Sequence, residues 1–267
     1  MNKTEMIDIV PLDIYFDYLC PYVYNAAVWL QRVKAGIGPK LTINWKYFSL
    51  EQVNSEQEPQ WKIWEQPEDY PSRGLRAFWA AEAARHQGEA VFSSFHIALL
   101  RARHEQHQDI ADMNTLIEVA ESVALEMTQF QKDLGDRRLL AKLAEDHTFA
   151  VETLGIFGTP TLVFPERQAI FLKMSSPPPP EESLPVFAEL RYLAERRRYI
   201  QEIKRPQLPK TWQLALEQDI LYLYGECFTL RIIGDKMDLG NSSNWSVVSS
   251  FINSQDILRN CFLPVSG

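Results

Sequence analysis

Cysteine is scarce in this chain. Three residues, Cys20, Cys227 and Cys261, stand among 267. That is too few for a disulfide scaffold, and no two are spaced to hold a metal. Long apolar runs are missing as well, since no stretch reaches the roughly 18 residues of a bilayer span. Basic charge is in deficit: 27 Lys and Arg face 35 Asp and Glu, a formal net charge of −8. That sign is wrong for a protein that binds phosphate backbones. The opening residues Met1–Asp8 hold no basic segment followed by an apolar one, so export is not expected. What is present is a hydrophobic content of 46% and a charged content of 23%. These supply a core and a solvated surface and exclude a disordered chain. The expectation is an acidic, soluble, cytoplasmic protein with no nucleic-acid or membrane partner, built as one large domain or one domain with an insertion.

The order of elements can be read along the chain. Leu12–Asp17 is rich in β-branched and aromatic residues and ends at a turn-like Asp-Tyr-Leu-Cys-Pro, a short buried strand. Pro21 suits a first helical position, Val23, Ala26, Ala27 and Leu30 recur at helical spacing, and Gly36 and Gly38 close that helix. Leu41, Ile43, Trp45 and Tyr47 alternate with mostly polar partners, a second strand. A crossover of this length implies that the two strands are parallel.

The middle reads as helical. Phe92, Phe95, His96, Leu99 and Leu100 follow the amphipathic rule. Leu116, Val119, Ala120 and Val123 form a second stripe, and Leu140, Leu143, Ala144, His147, Val151 and Leu154 a third that ends at Gly155. Residues from about 60 to 150 are expected to be a helical insertion. Thr161–Phe164 and Ala169–Lys173, joined through Pro165–Gln168, predict an antiparallel hairpin. Pro177–Pro180 predicts a stiff connector. It leads to a last helix from about Glu181 to Ile203, with Arg196–Arg198 near its end, where the helix dipole favours cations. The sum is an α/β chain: a thioredoxin-like fold with an α-helical insertion over residues 1–206. Residues 207–267, where charge thins and Ser and Asn gather, are a C-terminal extension without a clear period.

Chemistry concentrates at two distant points. Cys20 follows a strand and opens a helix, where unpaired backbone N–H groups and the positive dipole end favour a thiolate. A thiolate is the nucleophile of disulfide exchange. Gly158–Thr159–Pro160–Thr161 lies between a helix and a strand. With a cis Thr159–Pro160 bond, that loop would offer backbone groups to an extended thiol-bearing peptide. Neither point is specific alone, and the pairing within this strand order is what carries meaning.

Phe16–Tyr24, the helical insertion and Gly155–Thr161 together resemble the DsbA-type thioredoxin superfamily. The stretch Phe95–Ala102 is similar to the cytoplasmic FrnE-like branch. The likeness spans roughly residues 10–203. It implies thiol–disulfide oxidoreductase activity with Cys20 as nucleophile, Pro21 and Tyr22 beside it, and Thr159 and Pro160 binding substrate. The family's Cys-Pro-x-Cys stands here as Cys20–Pro21–Tyr22–Val23, so the resolving cysteine is absent and a monothiol cycle is implied. No cofactor is expected to be tightly bound. A protein or glutathione thiol or disulfide is the expected partner, with glutathione as a co-substrate and a homodimer left open. Relatives resembling kappa-class glutathione transferases and 2-hydroxychromene-2-carboxylate isomerases offer an alternative, glutathione-dependent transfer or isomerisation. A non-catalytic peptide- or partner-binding module is a third.

Other conspicuous residues have plainer explanations. His104 and His107 belong to a hydrophilic run and are expected at a solvated helix end. His96 and His147 sit on apolar stripes and are expected as core or pocket-wall residues. Tyr18 and Tyr22 are expected mainly to pack. Trp61, Trp64 and Trp79 are expected to pack the insertion on the core, with a substrate cleft as the other option. Arg196–Arg198 is expected as helix-end charge, and the proline run as a linker.

Overall fold

The computed structural model describes residues 10–206, so the expected extension, with Cys227 and Cys261, lies outside the described residues. Among the described residues, four strands form one sheet in the order β2-β1-β3-β4. β1 (Val10–Phe16) runs parallel to β2 (Leu41–Tyr47), and β3 (Thr161–Phe164) is antiparallel to both β1 and β4 (Gln168–Phe171). Eight helices join them: α1 (Pro21–Ile37), α2 (Leu50–Val53), α3 (Leu75–Arg85), α4 (Glu89–His104), α5 (Met113–Ser122), α6 (Met127–Leu134), α7 (Leu140–Leu154) and α8 (Ser183–Arg196). The arrangement is the expected thioredoxin-like one, with helices filling the chain between β2 and β3.

β1 is central, and both its faces are covered, as its nearly continuous apolar composition requires. Leu12, Ile14 and Phe16 are fully buried in the large core, each stabilising by about 1.5–3 kcal/mol. Tyr15 turns the other way, into a smaller cluster with Phe48, Ala150, Ile156 and Val163. β2 is an outer strand, and α7 shields part of it: the Asp146 carboxylate accepts from Tyr47 N–H at 3.2 Å, and His147 Nδ1 accepts from Ser49 N–H at 3.1 Å. Covering such groups blunts an edge that would otherwise template further pairing.

α1 begins on Pro21 and ends at Gly38, whose φ of 70° suits glycine. Its buried face, which includes Val23, Ala26, Ala27, Leu30 and Val33, matches the periodicity read above. Trp29 joins it and donates its indole N–H to the Ser183 carbonyl at 2.9 Å, tying α1 to α8.

Two expectations need correction. In α7 the buried face is Leu140, Leu143, Asp146, His147 and Ala150, whereas Val151 is 40% exposed. The contacts of Asp146 with β2 and of His147 with Ser49 just beyond it set the rotation of this helix, and apolarity alone did not reveal them. α8 stops at Arg196 instead of Ile203, and residues 180–182 form a separate 3₁₀ turn. After buried Ser183, Phe187 and Ala194, the next core-facing positions are Arg197, Arg198 and Gln201, which give a further turn nothing to bury. The proline run is the connector expected, and it is held in place: Arg32 donates to the Pro178 carbonyl at 2.6 Å, and Ser183 Oγ to the Pro179 carbonyl at 3.2 Å.

Candidate active site at the start of the first long helix

The topology explains why two points far apart in sequence meet. β1 delivers the chain to Cys20 at its carboxyl end. β3 starts at the same end because it runs antiparallel, with Thr161 opposite Tyr15. The Thr159–Pro160 peptide bond is cis. Cys20 occupies the N-cap position of α1, and its thiol donates to the Thr159 carbonyl at 3.2 Å, across 139 residues of sequence. Cys20 is 5% exposed and is a free thiol. Among the described residues the Thr159 hydroxyl is buried without a hydrogen-bond partner. The loop is otherwise closed on itself: Thr161 Oγ1 donates to the Gly158 carbonyl at 2.7 Å, and Leu172 N–H to the Pro160 carbonyl at 3.0 Å. Val23, one turn into α1, is fully buried.

The turn before Cys20 is held from several sides. The Asp17 carbonyl accepts from Cys20 N–H at 3.1 Å. The buried Asp17 carboxyl accepts from Leu19 N–H at 2.8 Å and Leu50 N–H at 2.7 Å. Burial pushes its pKa up from 3.8 to about 7, against the two N–H bonds and Arg73, which pull it down, while nearby Glu51 adds to the rise. Tyr18 is gripped at both ends by α4: its hydroxyl lies 3.1 Å from His96 Nδ1, and its carbonyl 2.8 Å from His104 Nε2. Burial holds both histidines below the usual imidazole range, with nearby arginines lowering them further and the Tyr18 carbonyl partly offsetting this at His104. Because a carbonyl can only accept, His104 Nε2 carries a proton and donates to Tyr18.

His104 thus departs from the solvated helix end expected of it. It is half-buried, stacks on Tyr24 with centroids 5.8 Å apart, and anchors the segment leading to Cys20. His107 is exposed. His96 and His147 are buried, as their stripes suggested, and His96 sits among Phe16, Trp45 and Phe92. The three tryptophans part company. Trp79 is buried in α3 and donates to the Asp136 carbonyl at 3.1 Å. Trp64 lies against His147, and Trp61 lines an open cleft that also includes Leu19.

Around the thiol, Pro21 is exposed and Tyr22 half-buried. Lys173 Nζ lies 5.3 Å from the Tyr22 ring and 5.7 Å from that of Phe171. Phe171 in turn meets Phe157, which is 68% exposed, at 5.0 Å. Sequence reading missed Asp17, His104 and this aromatic rim as site residues. Only Asp17, standing three residues before Cys20 at a strand end, carried a usable signal.

A family model for the DSBA-like thioredoxin domain matches residues 11–176. The chain belongs to that family. The chain is similar to uncharacterized protein Rv2286c of Mycobacterium tuberculosis, at 26% identity over 236 residues, covering 85% of this chain and 96% of that protein. It is also similar to the ClpXP adapter protein SpxH of Bacillus subtilis, at 25% identity over 178 residues, 58% of each chain. Among solved structures, a Nitrosomonas europaea protein provisionally described as a protein disulfide isomerase superposes with a TM-score of 0.51. Its identity is 15%, over 71% of this chain and 100% of that one, a likeness of fold. Cys20 and the Thr159–Pro160 loop both lie within the matched residues. Among the described residues no helix is long and apolar enough to cross a membrane.

Proposed function

We propose that this DSBA-like chain performs thiol–disulfide exchange through Cys20 alone. The observation that carries the reading is the Cys20 sulfur at a helix N-cap, 3.2 Å from the Thr159 carbonyl. Only the protonated thiol donates to that carbonyl, so loss of the proton breaks this bond and frees the sulfur to react. The thiolate then attacks a disulfide, one S–S bond forming as another breaks, and the displaced thiolate takes up a proton. Thr159 and Pro160, with Pro21 and Tyr22 on the opposite side, receive the substrate chain. Val23 offers no sulfur, so a second thiol from solution resolves the adduct. Sparse cysteine supports a cytoplasmic location, where thiols stay reduced.

Incubation with glutathione disulfide, followed by intact-mass measurement and peptide mapping, tests the proposal. The expected product carries one glutathione on Cys20, removed by excess reduced glutathione and absent in Cys20→Ser. An unmodified Cys20 would sink the exchange reading. Glutathione held reversibly without an adduct would favour the transferase or isomerase class. A binding module is the second reading, favoured by the buried aliphatic side chain at position 23 and by the likeness to an adapter protein. Neither adduct nor glutathione binding would bring it forward.

A further inference from the structure

Beside Leu19, the surface is hollowed into a cleft of about 410 Å³, within the size range of small-molecule sites. Leu19 lines it and immediately precedes Cys20, so the two Cα atoms are about 3.8 Å apart. Trp61 and Tyr70 form an aromatic wall, their rings 5.9 Å apart at 52°. That wall is built in advance. Gln52 Nε2 donates to the Trp61 carbonyl at 3.1 Å, and Gln52 Oε1 accepts from Ile63 N–H at 2.8 Å.

The charges in the cleft do not cancel. Its lining includes Arg73, Arg103 and Glu51. The Glu51 carboxylate is already occupied: Oε1 accepts from Arg73 N–H at 3.0 Å, and Oε2 from Ser72 Oγ at 2.6 Å and Gly74 N–H at 3.0 Å. The Arg73 guanidinium is only at the limit of contact with Glu51, 4.0 Å away, and 76% exposed. Arg103 is half-buried and, among the described residues, has no hydrogen bond or ion pair. Two guanidiniums are therefore open to a ligand in a protein of net charge −8, and a carboxylate is the group their fork geometry fits.

We propose that this cleft seats the anionic body of a low-molecular-weight thiol or disulfide whose sulfur reaches Cys20. Carboxylates would pair with Arg73 and Arg103, and the apolar stem would lie on Trp61. A tripeptide such as glutathione extends about 10 Å, enough to span from the cleft to the neighbouring residue. The chemistry at the sulfur rests on the exchange reading: the Cys20 thiolate attacks the anionic disulfide, forms the mixed disulfide and expels one thiolate, with no further oxidant. Binding in the cleft does not rest on it.

Two experiments on the full chain keep those parts separate. The first is calorimetric titration of Cys20→Ser with S-methylglutathione, which cannot exchange, and with its dimethyl ester, which keeps the ammonium but has neither carboxylate. The free acid is expected to bind about tenfold tighter than the ester. That preference should weaken with salt and vanish when Arg73→Ala and Arg103→Ala are added. Equal binding of acid and ester, or no binding, overturns the proposal. The second compares rates of Cys20 adduct formation with anionic glutathione disulfide and cationic cystamine. Their ratio is read in the wild type and in the double-arginine variant, so that any general change in Cys20 reactivity cancels. A ratio about tenfold higher in the wild type supports the cleft, and ratios within twofold of each other overturn it. Binding without adduct formation would refute exchange at Cys20 while leaving the cleft assigned.

Discussion

Asp17 makes the stability of this protein depend on pH in a direction opposite to that of an ordinary salt-bridged carboxylate. Burial raises its folded-state pKa from 3.8 to about 7. The native state therefore holds the proton where the unfolded chain has released it. The stabilisation from the protonated carboxyl is fully present below about pH 4, declines as pH rises through the window from about 4 to 7, and is lost above it. At about 1.36 kcal/mol per pH unit, the gap amounts to about 4 kcal/mol, of which about 2.5 kcal/mol falls between pH 5 and pH 8. Asp17→Asn removes the titration but leaves one of the two N–H donors, Leu19 or Leu50, facing an amide nitrogen. That loss costs about 1–3 kcal/mol at pH 5. At pH 8, where the wild type carries its buried charge, the variant should be of similar stability or more stable. Urea unfolding of both proteins at pH 5 and pH 8, followed by far-ultraviolet circular dichroism, gives the double difference, in which other titrating groups cancel. A change smaller than about 1 kcal/mol, or one in which the variant loses ground at pH 8, would refute the reasoning.

Two further outcomes follow from the packing. Val23→Cys places a second sulfur one turn after Cys20 and should convert the glutathione adduct into an internal disulfide. Mass measurement and thiol titration would show two thiols lost per chain, and a persistent glutathione adduct would contradict this placement. Phe16→Ala removes a fully buried ring that meets Tyr18, Trp45, Tyr47 and His96. It should cost about 3–5 kcal/mol, seen as a lowered unfolding midpoint in urea. A loss below about 1 kcal/mol would mean that the core around β1 is not packed as described.

Where the sequence is periodic, the fold was legible. β1, β2, the β3–β4 hairpin and the buried faces of α1 and α4 follow from alternation or helical spacing of apolar residues. Cys20 and Gly158–Pro160, paired through their likeness to a known family, do meet at one end of the sheet. Elements set by side-chain hydrogen bonds were not legible. Asp146 and His147 turn α7 away from its apolar reading, and Arg197 and Arg198 end α8 because they cannot replace buried contacts. The cleft was legible only through Trp61, for which a substrate cleft was the other option, and its remaining walls were not, for the same reason. Its walls come from the stretch between β2 and α3, where Glu51 reaches residues 72–74 and Gln52 reaches residues 61 and 63, and no periodicity marks such links.

The meeting of Cys20 with the Thr159 carbonyl across 139 residues has a temporal consequence during synthesis. At about 5–20 residues per second, Cys20 is made roughly 7–28 seconds before the carbonyl to which its thiol donates. The α3–α6 helices rest on local contacts and are free to form in that interval. Strand β1, however, waits for β3 to complete the sheet's centre. A nascent chain halted anywhere within the helical region therefore displays a cysteine without its partner loop. Thiol labelling of stalled chains would record the moment at which the newborn protein closes over its own reactive atom.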